Sequence, residues 1–414
     1  MAGDKVRVFS GARIIDGTGS NGVLTRGALV IEGARIAWVG PQDSLPEKYA
    51  ALAAEDLDGK TLLPGFIDVH VHLTMDASTG DPIGNAESQP DSVTSLLTAA
   101  NALRALEAGF TTVRDVGGKN HIEFGIRDAI TAGQLVGPDI LASGRFLTIS
   151  EGRPNAPSYS SICDSPDAAR RATRQELSAG ADVIKIMATG NVTSPGVTPG
   201  AQQFTEEEMR AAIEAAHWVG KKTSAHAQGT SGIIAAVRAG IDSIDHGCLL
   251  NDEAIDLMLA NGTFLVPTFA AVVNIIEHCE DAGIPTYAVE KARELMDSHL
   301  DSFSRALKAG VRIALGTDAG CPFDYHGRNA QEFVHLTTYG MTPQQAIVAG
   351  TAAAAECCGL DDRGSLEIGK RADIVVVDGD PLEDISVLQS KPVAVIKAGQ
   401  EVDFEAAKLS AFAA

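Results

Sequence analysis

Between Gly65 and about Gly340 short apolar runs alternate with helical patterns, and eight such runs can be counted. They read GFIDVHVH (65–72), TTVRDVG (111–117), DILASG (139–144), DVIKIMA (182–188), KTSAHA (222–227), SIDHG (243–247), FLVPTF (264–269) and RIALGTD (312–318). Strands that alternate with helices build a parallel sheet. Eight of them close a (β/α)8 TIM barrel, whose strand ends gather at one mouth. The helices carry their own punctuation. Val93, Leu96, Leu97, Leu103 and Leu106 trace one face after Asp91, and Thr205 with Glu208 makes a capping box. Gly109, Gly180, Gly220, Gly240 and Gly310 stand where a left-handed residue turns the chain into the next strand.

The two ends read differently. KVRVFSGARII, GALVIEGARIAWVG, ADIVVVDGD and AVIKAGQEV are short alternating strands separated by Gly and Asp turns. Residues 1–63 and 359–414 are therefore expected to be two halves of one small β-sandwich domain, with the barrel, 64–358, inserted between them. A chain of 414 residues suits such an α/β domain with a modest companion.

With 33 Lys plus Arg against 54 Asp plus Glu, the net charge is −21, which repels a phosphate backbone and argues against nucleic acid as a partner. No run approaches the roughly 20 apolar residues of a membrane span, and MAGDKVRVFSGARIID has no signal-like core, so a cytoplasmic location off the membrane is expected. The partner expected is a small-molecule substrate, and symmetric homo-oligomerisation is compatible with the charge. Cys163, Cys248, Cys279, Cys321, Cys357 and Cys358 form no CxxC and are expected to be reduced thiols.

Chemistry-bearing side chains sit at the ends of the runs. In DVHVH the i, i+2 spacing puts His70 and His72 on one strand face, where both imidazoles can reach one ion, although packing alone would also account for an HxH. His226 and His246 lie near later strand ends, and either one alone could be a satisfied core histidine. Asp318 ends IALGTD and becomes a neighbour of His70 once a barrel closes; it can be a hard oxygen ligand or a helix N-cap. Lys185 lies in the apolar VIKIMA, where a bare ammonium is costly. Burial favours the neutral amine, which can take up carbon dioxide to form a carbamate able to bridge two cations; a salt-bridged lysine is the alternative.

LLPGFIDVHVHL, TTVRDVGG, VIKIMATG, AHAQG, DSIDHG, ALGTDAG and GSLEIGKRADIVVVDGDP together resemble the amidohydrolase superfamily, specifically its binuclear branch with a carboxylated lysine. IKIMATGNVTSPG and FTEEEMRAAIEAAHWVGKKTSAHA are similar to the prolidase-like dipeptidase group, which also contains hydrolases of arylureas, carbamates and amide toxins. The resemblance implies one ion on His70, His72 and Asp318 and a second on His226 and His246, with an N6-carboxylated Lys185 and a hydroxide between them. Two divalent ions, zinc by donor type with cobalt or manganese as alternatives, would serve the hydroxide's attack on a carbon–nitrogen amide-type bond. Asp318 would shuttle the proton to the leaving nitrogen. The group carries Tyr or His where this chain has Gln228, and a Gly-His-Gly after the third strand where it reads GRFLTISEGRPNAPS. These departures favour a non-peptide amide, urea or carbamate over a dipeptide.

An ester or lactone hydrolase on the same metals, and a metal-free binding protein, are the other classes. Substrate contacts are expected from the loops, at His121, Arg145, Arg153, Asn191, Thr193, Gln228, Tyr325, His326 and Arg328, with 145–165 and 189–204 as lids. His217, His278, His299 and His335 fall on helical patterns and are read as non-catalytic.

Overall fold

The structure, a computed structural model, describes residues 6–19, 22–152, 156–194, 196–278 and 283–410. Seven of the eight apolar runs form parallel strands. Phe66–Val71, Phe110–Asp115 and Asp139–Ala142 make one ladder, and Val183–Met187, Lys222–Ala227, Ser243–His246 and Phe264–Val266 make a second. The Asp182 amide donates to the Ala142 carbonyl at 2.8 Å, connecting the two ladders.

The eighth run, 312–318, bridges to Leu265 through Ile313, and Ala319 just after it bridges to Val71 of the first strand. The Leu265 amide donates to the Arg312 carbonyl (2.8 Å), and the Val69 amide donates to the Leu315 carbonyl (2.9 Å). Gly316 permits this close approach, since a Cβ there would fall 2.8 Å from the Cβ of His70.

Two strands were not foreseen, Phe146–Thr148 and Ser160–Ile162, which pair with each other; the first also bridges to Val183–Met187 through Leu147 and Ile186. The run 264–269 is also shorter as a strand than expected, because a helix, Phe269–Glu277, begins inside it.

The helix expected after Asp91 spans Asp91–Glu107, but the face it buries shares only Leu106 with the expected one. Leu96 is 76% exposed and Val93 is 48% exposed, whereas Thr94, Thr98, Asn101, Ala102, Ala105 and Leu106 are buried. Asn101 turns inward because its amide donates to the carbonyls of Leu73 (2.9 Å) and Met75 (3.1 Å), in the loop that follows the first strand. Small residues on the same face let the helix approach closely. A count of apolar spacing misses a face chosen by a polar group with work to do.

The capping box of Thr205 and Glu208 is present at Glu206–His217, and Gly180, Gly240 and Gly310 are left-handed caps. Both chain ends enter one eight-stranded sheet, in which Lys60–Pro64 pairs antiparallel with Ile374–Asp378. The described cysteines are free thiols, while Cys279 lies outside the described residues. No described helix is long and apolar enough to cross a membrane.

Candidate metal centre

Strand periodicity sends Asp68, His70 and His72 to one side of the first strand. His70 Nε2 and His72 Nε2 each lie 3.2 Å from Asp318 Oδ1. The His70 ring is 5.3 Å from that of His246, which is 4.5 Å from that of His226. Lys185 contacts the carboxylate of Asp245, whose Oδ2 is 3.3 Å from His70 Nδ1. All six side chains singled out from the sequence thus converge, and each is nine-tenths or more buried.

Backbone strain gathers at the same place. His246 has φ 71°, Asp318 has φ 68° and Thr268, which bonds to His246 Nδ1 at 2.7 Å, has φ 55°. Non-glycine residues held in the left-handed region cost of order 1–3 kcal/mol each and cluster at functional sites. At His246 the turn has a plain use, for it lets both Asp245 and its successor in sequence face the cage from the end of one strand.

The supporting hydrogen bonds fix ring orientation. His72 Nδ1 lies 3.1 Å from the Gly117 carbonyl, and His226 Nε2 lies 3.4 Å from that of Gly190. Asp68 ties the first strand to the eighth run: its carboxylate accepts from the amides of His70 and Thr317 (3.1 Å each), the Thr317 hydroxyl (2.7 Å) and Asn329 (2.8 Å). Asp68 was missed in the sequence, although the i, i+2 spacing that marks His70 and His72 extends back to it. Asp245 was missed too, standing beside His246 in SIDHG.

Charge states suit cation binding. Burial pushes His226 down to about 3 and His246 well below the ordinary imidazole range, so both rings are neutral donors near pH 7. Burial likewise lowers the Lys185 amine, against the pull of Asp245. Burial alone would raise the Asp318 carboxyl, but His70 and His72 beside it hold it well below the usual carboxylate range.

The donors also pass a test of fit. Asp318 Oδ1 is buried and has no hydrogen-bond partner, despite two imidazole nitrogens at 3.2 Å. Those contacts do not align as hydrogen bonds. Nitrogens and oxygen share a neighbourhood without satisfying each other, and His70, His246 and Asp318 can each offer an atom within 4.8 Å of the others. A buried polar atom without a partner is costly, and a cation would remove that cost here.

The cage floors a cleft that opens to solvent. Asn191, Thr193 and Gln228 line it as expected, and Gln228 Oε1 is buried without a partner. Of the proposed lids, 145–165 contributes Phe146 to the wall and 189–204 contributes Asn191 to Thr193.

His121, Arg145, Tyr325, His326 and Arg328 stand elsewhere. His121 bonds to Glu176 (2.6 Å) and stacks on Phe124, and Arg145 donates to Asn120 and Ser158. Tyr325 lies under the Arg328 guanidinium, and His326 is buried behind the site with Nε2 3.1 Å from the His72 carbonyl. Arg153 is outside the described residues. His217, His299 and His335 sit on helices and His278 caps one, all off the cleft wall.

Much of the rest of the wall is apolar, with Ile83, Val116, Met187, Val192, Val272, Ile275, Ile284, Ala288 and Ala292, while Asp81 and Tyr287 add polar groups to it. Lys185 is the sole lysine or arginine among the described lining residues.

Residues 61–402 match the Amidohydrolase family. The chain is 33% identical to ochratoxinase of Aspergillus niger, an alignment covering 94% of this chain and 85% of that one. Its structure is similar to that of a Xaa-Pro dipeptidase with bound methionine in the active site (TM-score 0.86, 34% identity, 96% of this chain and 100% of that one). It is also similar to the crystal structure of A. niger ochratoxinase (TM-score 0.85, 31% identity, 96% of each chain).

Proposed function

The chain belongs to the amidohydrolase family and is a hydrolase of carbon–nitrogen bonds, and from that premise we propose that it cleaves an amide-type bond flanked by a bulky apolar group, using two divalent cations in the cage of His70, His72, Lys185, His226, His246 and Asp318. The observation that carries this reading is the buried, partnerless Asp318 Oδ1 at the floor of an apolar cleft. We read the parallel strands as a (β/α)8 barrel closed by 312–319, spanning 64–358, and the shared terminal sheet as a β-sandwich made from 1–63 and 359–414. A cytoplasmic enzyme, and a homo-oligomer, are compatible with this reading.

One ion would be held by His70, His72 and Asp318 and the other by His226 and His246, with N6-carboxylated Lys185 between them. Zinc suits these imidazole-rich positions. When bound, such a pair acidifies a shared water to a nucleophile usable near neutral pH and polarises a carbonyl. The protein's own groups do the rest. Asp318 stays ionised beside the two imidazoles, so its carboxylate takes the proton of the attacking water and delivers it to the leaving nitrogen, without which an amine departs poorly. Gln228 and Asn191 orient the substrate carbonyl from the cleft wall. The apolar wall formed by Val192, Val272, Ile275 and Ile284 excludes water and takes the large group.

Among the relatives' chemistries, that of ochratoxinase accords best with such a wall. The test is a substrate panel with the zinc-loaded protein: ochratoxin A, a Xaa-Pro dipeptide, a phenylurea and a matched ester. Turnover of the ochratoxin amide above the dipeptide is expected. Activity on the ester with none on any amide or urea would replace this reading with an ester or lactone hydrolase.

A further inference from the structure

Asp245 is where the inner side of the cage converges. It is fully buried, and its Oδ2 accepts from Lys185 Nζ and from the Ser224 hydroxyl (2.5 Å) while lying 3.3 Å from His70 Nδ1. Its Oδ1 lies 3.7 Å from the Arg114 guanidinium. Arg114 is itself fully buried and anchored, donating to the Val69 carbonyl (2.6 Å) and the Ser243 hydroxyl (3.2 Å). Strand register explains the meeting, since Lys185 pairs with Ser224, Ser224 with Ser243, and His226 with Asp245. Asp245 therefore does not reach into the cleft, and it is absent from the cleft wall.

We propose that Asp245 is a positioning residue for the metal site: braced by Ser224 and Arg114, its carboxylate holds the inner nitrogen of His70 and the Nζ of Lys185, so that His70 Nε2 and the outer side of the lysine nitrogen face the cations. This rests on the reading that the cage holds a cation pair. A histidine that ligates through one ring nitrogen needs its other nitrogen tied to a carboxylate, carbonyl or water. His70 Nδ1 is buried with no aligned hydrogen bond, and Asp245 Oδ2, at 3.3 Å, is the acceptor beside it.

The same carboxylate suits both forms of the lysine. When the neutral amine attacks carbon dioxide, an N–C bond forms, one carbon–oxygen π pair moves to oxygen, and a proton leaves to solvent water. One N–H remains on the carbamate nitrogen, and Asp245 is placed to accept it. Arg114 keeps Asp245 charge-compensated when Lys185 no longer carries a positive charge.

The test is calorimetric titration of zinc into metal-stripped protein, with 13C NMR of the lysine carbamate after equilibration with labelled bicarbonate. Wild type should take up two zinc ions and show the carbamate signal. Asp245→Asn should bind at least one zinc about 10–100-fold more weakly, with a diminished carbamate signal. Should that variant fail to fold, Ser224→Ala frees the carboxylate without changing any charge and should weaken zinc binding about 2- to 10-fold. Unchanged zinc affinity in whichever variant is folded overturns the proposal. Wild type that takes up no zinc overturns the cage reading itself, and this inference with it, so the two failures are told apart.

Discussion

His70 and Asp318 touch twice. The Asp318 amide donates to the His70 carbonyl at 2.8 Å, and the side chains approach to 3.2 Å between Nε2 and Oδ1. The backbone contact joins the first apolar run to the eighth, and the side-chain contact forms one corner of the cage. Fold and site are thus one geometric fact, and a change that loosens the first should loosen the second.

Asp318→Asn removes the ionised oxygen while keeping shape. Turnover should fall about 10²–10⁴-fold, the usual worth of positioned acid–base chemistry, with the fold intact by circular dichroism. A variant with wild-type kcat would remove Asp318 from the proton transfer.

Lys185→Ala should lose bound metal and regain part of it when a short carboxylic acid fills the space of the missing carbamate. Elemental analysis decides the point. Two full equivalents of metal in the variant without added acid would count against the bridging role.

How much of this could be read beforehand depended on periodicity. His70, His72, Lys185, His226, His246 and Asp318 were legible because each closes or nearly closes a strand-like run, and parallel strands bring such positions to one side. Asp245 and Asp68 were not, because a buried aspartate near a histidine looks like any turn-forming residue until its partners are known. The loops failed more broadly. His121 has a buried partner in Glu176, and His326 braces the His72 carbonyl, so neither faces the cleft. The apolar wall from Thr286–Ala309 was equally hidden, since a helix's outward and inward faces cannot be told apart before its neighbours are placed.

His299, buried against Phe269, is pushed down to about 4 by burial. Its folded pKa lies below its unfolded one, so the unfolded chain binds the extra proton, and stability falls as pH drops from about 6.5 toward 4. At pH 4 the cost is of order 3 kcal/mol. Denaturant titrations of metal-free protein should show this acid limb, and His299→Leu should flatten it by about one proton. Equal slopes in the two proteins would contradict the assignment.

Val272 is buried in the wall of the cleft. Val272→Asp should raise KM for a large apolar amide about tenfold or more, by removing apolar contact and burying a charge. The kcat for a small acyl amide should change little. A uniform loss on both substrates would place Val272 outside the binding of the large group.

Metal content against activity bears most directly on the central claim. Protein stripped with chelator and reloaded stepwise with zinc should be inactive when empty and regain carbon–nitrogen hydrolysis as it approaches two ions per chain. Full activity in the stripped protein, or saturation with no ion bound, would contradict the account.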